Sequence, residues 1–248
     1  MKSDAAENAG LDPSRLPVHA AVIMDGNGRW AQKRMLNRIK GHERGADTVR
    51  AVVRASREIG IAYLTLYAFS TENWQRPKSE VKALMTLLKR FLASEREEMI
   101  QNNIRLQVLG QTHRLPEDVV QGLAEVTEQT RNNDGLCLCL ALSYGGRTEI
   151  VHAAQNLARQ VRDGRMDPED ITEALFSQNL YTAGIPDPEL LIRTSGEYRI
   201  SNFLLWQIAY SEIFVTPTLW PDFTREEFIG ILRDFQKRER RFGQVSEQ

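Results

Sequence analysis

Cysteine is scarce in this 248-residue chain: there are two, Cys137 and Cys139, alternating within Leu136-Cys137-Leu138-Cys139-Leu140. Residues two apart on a strand point to the same side, and neighbours on one strand are poorly placed for a relaxed disulfide. The pair is expected as reduced core residues, not as a disulfide scaffold or zinc site. A basic excess is missing as well, since 32 Lys and Arg face 33 Asp and Glu for a net charge of −1. A global electrostatic grip on nucleic acid needs a basic surplus or stripe. No nucleic-acid partner is expected, and any anion site must be local. No uninterrupted apolar stretch approaches the length of a membrane span, and Met1 to Leu11 is polar with no apolar signal core. The expectation is a cytoplasmic protein. Neither a Walker-type lysine pattern nor Gly-x-Gly-x-x-Gly occurs, so nucleotide binding gains no support.

What the chain does have is an ordinary globular balance, 42% hydrophobic and 26% charged, which excludes disorder and collagen-like repeats. A chain this long buries roughly 70–75% of its extended surface and needs no covalent staple. Short β-rich runs alternate with longer amphipathic stretches. Strands are expected at 18–24, 62–69, 104–109, 136–142, 190–193 and 212–216. Helical spacing of apolar residues marks 45–59, 81–99, 117–129, 148–161 and 223–237. Such alternation predicts an α/β fold: one domain with a mostly parallel central sheet of about six strands and helices on both faces. Residues 1–16 read as a mobile N-terminal tail, 17–243 as the domain and 244–248 as a C-terminal tail. In open α/β sheets ligands sit beyond the carboxyl ends of the strands, so residues just after each strand deserve the closest reading.

The first such segment is Asp25-Gly26-Asn27-Gly28-Arg29-Trp30. Glycines allow positive φ and close backbone approach, so successive N–H groups can face an oxyanion, and a helix starting near Gly28 would add its dipole. Asp25 would then hold Mg²⁺, the hard cation expected between a carboxylate and phosphate oxygens. A tight turn with a capping Asp and a core Trp fits the same residues. The second segment carries Arg38 and His42, four apart and on one face if a helix begins that early; alone it suits a solvated basic turn, and beside the first it suits a second wall for a diphosphate. The third, Ser70-Thr71-Glu72-Asn73-Trp74-Gln75-Arg76-Pro77, mixes hydroxyls, a carboxylate, an amide, an indole and a guanidinium where a plain loop would favour Gly and Asp. A helix start capped by Ser79 would account for Ser79 but not for Asn73, Trp74 or Arg76. In the fourth, Arg193 ends an apolar strand and Arg199 and Ser201 follow across a Gly turn. Two guanidiniums and a hydroxyl suit a diphosphate, because Arg donates in a fixed fork; pairing of Arg193 with a carboxylate such as Glu197 is the alternative. Glu212, near the last strand, could complete a metal site with Asp25.

These segments, together with Tyr144-Gly145-Gly146-Arg147, Ile192-Arg193-Thr194, Arg199-Ile200-Ser201-Asn202-Phe203 and Trp220-Pro221-Asp222, resemble the cis-prenyltransferases, and more closely the bacterial undecaprenyl diphosphate synthases, from about residue 17 to 243. The Asp-Asp-x-x-Asp motif of the unrelated trans-prenyltransferases is absent. The resemblance implies Mg²⁺-dependent, repeated cis condensation of isopentenyl diphosphate onto farnesyl diphosphate, giving the lipid carrier of cell-wall synthesis. It implies Asp25 as the acid that positions Mg²⁺, with Glu212 contributing to the metal site. Gly26, Asn27, Gly28, Arg29, Arg38 and His42 would bind the allylic diphosphate, and Arg193, Arg199, Ile200 and Ser201 the isopentenyl diphosphate. Trp30, Ser70, Thr71, Glu72, Trp74 and Arg76 would line the same region, and Asn73 would take part in proton removal. The apolar product implies a hydrophobic tunnel walled by the second strand, the helix from Val81, and Leu136 and Leu138. Arg241-Phe242-Gly243 matches an Arg-x-Gly motif that in the family reaches into a neighbouring subunit, which implies a homodimer. The chain departs from the family at Ser195, where Gly is usual, at Ser143, where Asn is common, and at the variable position Tyr198. A shorter cis product, a non-catalytic partner subunit that keeps the fold and a phosphate-binding regulator without turnover are the competing readings; retention of Asp25, Asn73, Arg193 and Arg199 speaks against the second.

Overall fold

The computed structural model describes residues 2–239. Six strands, β1 (His19–Ile23), β2 (Tyr63–Ser70), β3 (Ile104–Leu109), β4 (Leu136–Tyr144), β5 (Leu190–Arg193) and β6 (Glu212–Val215), form one sheet in the order β3-β4-β2-β1-β5-β6. Every pairing is parallel. The strands that read as unbroken apolar runs are the central ones: β1 and β4 are buried along their whole length, as a strand covered on both faces must be.

Among the described residues eight α-helices accompany the sheet: α1 (Lys2–Asn8), α2 (Asn27–Lys33), α3 (Arg38–Ile59), α4 (Lys78–Gln101), α5 (Glu117–Thr130), α6 (Gly146–Arg162), α7 (Glu173–Ser177) and α8 (Arg225–Gln236). Alternate residues of each strand feed two separate cores. One face carries Ala20, Val22, Leu64, Leu66, Leu138 and Leu140 against apolar residues of α3, α4, α5 and α8. The other carries Ala21, Ile23, Cys137 and Cys139 against Tyr144, Phe203, Leu204 and Ile208, with α6 tied in where the Tyr144 hydroxyl donates to Glu149. Both cysteines are free thiols, 3.7 Å apart at sulfur.

Three boundaries differ from the sequence reading. Residues 4–16 are not a loose tail: Ala6 and Leu11 are buried in the main core, Arg233 donates to the Ala9 carbonyl at 3.0 Å and the Asp12 N–H donates to Gln236 at 3.1 Å. The small residues of this short segment give no periodic signal, which is why sequence alone left it out. The long helix α3 begins at Arg38, seven residues before its apolar periodicity becomes visible, with the Asn37 side chain accepting the Ile39 N–H as its cap. At the start of α4 the cap position is Pro77, not Ser79, and the helix begins at Lys78. The expected C-terminal tail lies outside the described residues.

Candidate active site

The carboxyl ends of β1, β2, β4 and β5 open on one rim. Asp25 follows β1, and its Oδ1 accepts the Gly26 N–H at 2.7 Å. Gly26 sits at φ 109°, a conformation other residues rarely adopt, and so turns the chain at once into α2. Helix α3 lies hard against that first turn: a Cβ at Gly41 would stand 2.0 Å from the Asn27 carbonyl oxygen, and one at Gly45 2.3 Å from Asn27 Oδ1. Buried Trp220 braces the turn from behind, its indole donating to the Gly45 carbonyl at 2.9 Å and its backbone N–H to the Asp25 carbonyl at 3.0 Å.

Asp25 is ringed by cations. Arg193, only 4% exposed at the end of β5, donates through Nη2 to Asp25 Oδ2 at 2.8 Å and through Nη1 to Ser201 Oγ at 2.7 Å and to the Arg199 carbonyl. Arg29 lies 3.4 Å from the same Asp25 oxygen and 3.1 Å from Glu197, and Glu197 also pairs with Arg199. The acid that meets Arg193 is thus Asp25; Glu197 serves Arg29 and Arg199 instead. On the opposite wall, Glu80 pairs with Arg76 at 3.0 Å and with Arg38 at 3.9 Å. His42, one turn after Arg38 on α3, is pushed down to about 4 by burial, then by the nearby Arg76, with Glu80 pulling the other way and Arg38 adding to the fall. Its imidazole is therefore neutral at pH 7 in the free protein.

Between these walls comes the loop after β2. A register break between Tyr67 and Ser70 against β4 ends the regular ladder there, as bulges beside functional sites commonly do. The Ser70 N–H donates to Asn73 Oδ1 at 3.2 Å, closing a capping box that holds the loop in a single 3-10 turn. The Trp74 indole donates to Ser143 Oγ at 2.9 Å and packs edge-on against Phe69. The Asn202 side chain donates to Glu72 at 2.8 Å.

A cavity of about 690 Å³ starts at this rim and runs down one face of the sheet. Its mouth is polar, with Asp25, Arg29, Arg38, His42, Arg76 and Arg193; its depth is apolar, between Leu66, Ala68, Leu140 and Leu142 of the sheet and Val49 of α3 with Leu84, Leu88 and Phe91 of α4. Two and four residues further down the same face of β4, Leu138 and Leu136 are fully buried. They lie outside the cavity lining, which on this strand reaches only to Leu140, and so do not wall it as expected. A smaller cavity of about 300 Å³ adjoins the mouth, lined by Glu72, Arg147, Ile200, Ser201, Asn202 and Leu205.

Of the residues singled out in the sequence, Asp25, Gly26, Asn27, Gly28, Arg29, Arg38, His42, Ser70, Glu72, Asn73, Arg76, Arg193 and Ser201 share the main cavity, and Ile200 lines the adjoining one. Trp30 is turned away, its indole donating to Asp222 at 2.7 Å beneath the Arg34 guanidinium. Thr71 and Trp74 stand behind the cavity wall, and the Arg199 side chain lies toward solvent on Glu197. Glu212 is not beside Asp25. It opens β6 at the amino edge of the sheet, in register with Leu190, whereas Arg193 is in register with Val215. Three residues of strand separate the two levels by about 10 Å, and Glu212 is paired with Arg238. One chain therefore does not form the Asp25–Glu212 metal pair, because that carboxylate begins its strand whereas Asp25 follows one. Among the described residues no cluster of three His, Cys, Asp or Glu forms a ready-made metal site. Arg241 lies outside the described residues. Sequence reading missed Glu80, signalled by its i,i+4 spacing from Arg76, and the bracing role of Asn202.

Guanidiniums and carboxylates at the mouth of a deep apolar cavity define a site for a molecule with an anionic head and a long hydrocarbon tail. Comparison with known proteins agrees. The family model described as "Putative undecaprenyl diphosphate synthase" matches residues 23–243. An isoprenyl transferase of Geobacter sulfurreducens is 54% identical over 239 residues, 96% of this chain and 97% of that one; one from Chlorobaculum tepidum is 54% identical over 94% and 88%. Among solved structures, lavandulyl diphosphate synthase from Lavandula x intermedia, in complex with dimethylallyl diphosphate, superposes with a TM-score of 0.91 at 37% identity, covering 93% of this chain and all of that one. A probable undecaprenyl diphosphate synthase from Campylobacter jejuni gives 0.77 at 38%, covering 92% and 99%. The chain belongs to the undecaprenyl diphosphate synthase family and is a cis-prenyltransferase.

Proposed function

We propose that the protein condenses isopentenyl diphosphate repeatedly onto farnesyl diphosphate in cis additions, making undecaprenyl diphosphate, the lipid-carrier precursor for peptidoglycan and other cell-wall polymers. The observation that carries this reading is the continuity of the cation-rimmed mouth with the apolar cavity between β2, β4, α3 and α4. A prenyl tail placed there removes its surface from water, at about 25 cal/mol per Å², while its diphosphate stays at the rim.

In the reaction the allylic C–O bond breaks as the isopentenyl double bond attacks the allylic carbon, and a proton then leaves the isopentenyl C2. Negative charge grows on the departing diphosphate. Arg29, Arg38, Arg76 and the N–H groups of the first turn of α2 stand where that charge develops, and such fixed donors supply the dominant catalytic term in comparable sites. Arg193 and Ser201, held together by a hydrogen bond, bind the second diphosphate. Asn73 is an amide, too weak a base to take that proton; its Oδ1 accepts the Ser70 N–H and its NH2 can donate, orienting the proton acceptor without being one. Trp30, Thr71, Trp74 and Arg199 hold the surrounding loops.

Mg²⁺ fits the chemistry of the mouth: Asp25 presents a hard, partly exposed carboxylate, and Mg²⁺ is commonly held by one or two carboxylates plus substrate phosphates. When bound there it would supply charge neutralisation to the diphosphates. Glu212 lies too far from Asp25 to share that ion within one chain, so any metal role for it belongs to a second copy. We propose a homodimer in which Arg241 of each copy serves its neighbour's site. We also propose that the enzyme works in the cytoplasm at the inner membrane surface, where its product is used; among the described residues no helix is long and apolar enough to cross a membrane. Purified protein incubated with radiolabelled isopentenyl diphosphate, farnesyl diphosphate and Mg²⁺, with products sized by chromatography, tests the reading. Products of eleven isoprene units support it; absence of condensation or a short product overturns the assignment.

A further inference from the structure

Asn202 stands in a stretch of unusual backbone: Ser201 has φ 50°, Asn202 63° and Leu204 45°. Side chains with a Cβ avoid this left-handed region, Asn less than most, so something must hold the loop in place. Asn202 does so with three bonds to two other segments. Its carbonyl accepts the Gly146 N–H at 2.7 Å, its Oδ1 accepts the Arg147 N–H at 2.8 Å, and its Nδ2 donates to Glu72 Oε1 at 2.8 Å. Helix α6 receives no side-chain cap from Gly145, its own cap residue; Asn202, 55 residues away, supplies the capping oxygens instead. Burial would raise the Glu72 carboxyl, but hydrogen bonds from Asn202, Ser70 and Thr71 outweigh it and keep the group below its ordinary value, hence charged. Tyr67 adds a second brace, its hydroxyl donating to the carbonyls of Tyr144 at 3.2 Å and Ser201 at 3.3 Å. The residue before Asn202 is Ser201, whose hydroxyl meets Arg193, and Asn202 lines both cavities.

We propose that Asn202 is a positioning residue that locks the 199–204 loop to Glu72 and to the start of α6. The lock fixes Ser201 and the Arg199 carbonyl against Arg193 and sets the spacing between the two diphosphate half-sites. This rests on the reading that Arg193 and Ser201 hold isopentenyl diphosphate. Arg193→Met kinetics with each substrate varied in turn test that reading separately and are measured first. Asn202→Ala loses a hydrogen bond to a charged group, so its KM for isopentenyl diphosphate should rise about 10- to 100-fold, with the KM for farnesyl diphosphate changed less than about threefold. Asn202→Asp keeps the oxygen for Arg147 but sets a carboxylate against Glu72. Its isopentenyl diphosphate defect should ease as pH falls from 8 to 6, because two adjacent carboxylates come to share a proton. Asn202→Asp combined with Glu72→Gln restores a donor–acceptor pair with its polarity reversed, and should recover KM relative to Asn202→Asp alone. If Asn202→Ala does not fold, the comparison of Asn202→Asp with that double variant decides. Equal KM changes for both substrates, or an Asn202→Asp pH profile parallel to wild type with no rescue by Glu72→Gln, would overturn the proposal.

Discussion

Arg193 joins three groups through one fork, and exchanging it for lysine separates charge from geometry. Its Nη1 serves Ser201 and the Arg199 carbonyl while its Nη2 serves Asp25. A lysine keeps the positive charge but has a single nitrogen, which cannot span both sides. Each hydrogen bond to a charged partner is worth about 1.5–3 kcal/mol, so Arg193→Lys should lower kcat/KM for isopentenyl diphosphate about 10- to 100-fold. Arg193→Met removes the charge as well, forfeiting at least two such bonds, and should cost about 10²–10⁴. Stability should respond less. Breaking a buried pair typically costs 3–5 kcal/mol, but the Asp25 side chain is 31% exposed and water can take the place of the lost partner. Arg193 Nε is also buried without a partner, so removing it relieves some desolvation. A loss of about 1–2 kcal/mol is expected, or roughly 2–8 °C in Tm for a chain of this size. Steady-state kinetics with each substrate varied in turn, alongside calorimetric melting, measure both effects. If Arg193→Met keeps kcat/KM for isopentenyl diphosphate within threefold of wild type, or depresses the two substrates equally, the assignment of this guanidinium to the isopentenyl half-site is wrong.

Other consequences can be checked independently. Asp25→Ala should abolish turnover yet leave farnesyl diphosphate binding, read by calorimetric titration, largely intact; near-normal turnover would remove Asp25 from the metal site. Ser195 has φ 85° and a buried hydroxyl with no hydrogen-bond partner, so Ser195→Gly should stabilise the fold by about 1 kcal/mol; a lowered Tm would contradict this. Leu136→Ala or Leu138→Ala should deepen the cavity and lengthen the product, while costing about 2–5 kcal/mol of stability; an unchanged product ladder from both would show that the tail does not grow in this direction. His19 bonds Thr65 Oγ1 and the Pro186 carbonyl at the far end of β1, and burial pushes it down to about 4. The unfolded imidazole takes a proton near pH 6.5 and the folded one only near 4, so stability present at pH 7.5 is lost as pH falls through that window. The loss is about 2 kcal/mol by pH 5. His19→Gln should flatten that part of the pH–stability curve in denaturant titrations, and an unchanged slope would refute the assignment.

What could be read ahead of the structure followed from periodicity. Interior strands such as β1, β4 and β5 show as apolar runs because the sheet is covered on both faces there, and all six strands fall within two residues of their expected ends. Arg38 and His42 do share the face of one helix, because α3 starts at a side-chain cap upstream of its first apolar repeat. Long-range partnership is where periodicity stops. Nothing local says that the acid facing Arg193 is Asp25, 168 positions away, and not Glu197, four away. Glu212 shows the same limit from the other side: a residue adjoining a strand can sit at either edge of the sheet, and only register decides which. Ser143 and Ser195 stand out in the sequence as departures from Asn and Gly, and both occupy positive φ. The backbone at these two places favours the residues the family uses, and this chain bears local strain to do without them. Strain of that kind is tolerated where neighbours fix the loop, as Trp74 does for Ser143. At the candidate site, then, single residues show which chemistry is on offer, while cross-chain bonds such as those of Asp25 and Asn202 determine whether that chemistry is brought to one point.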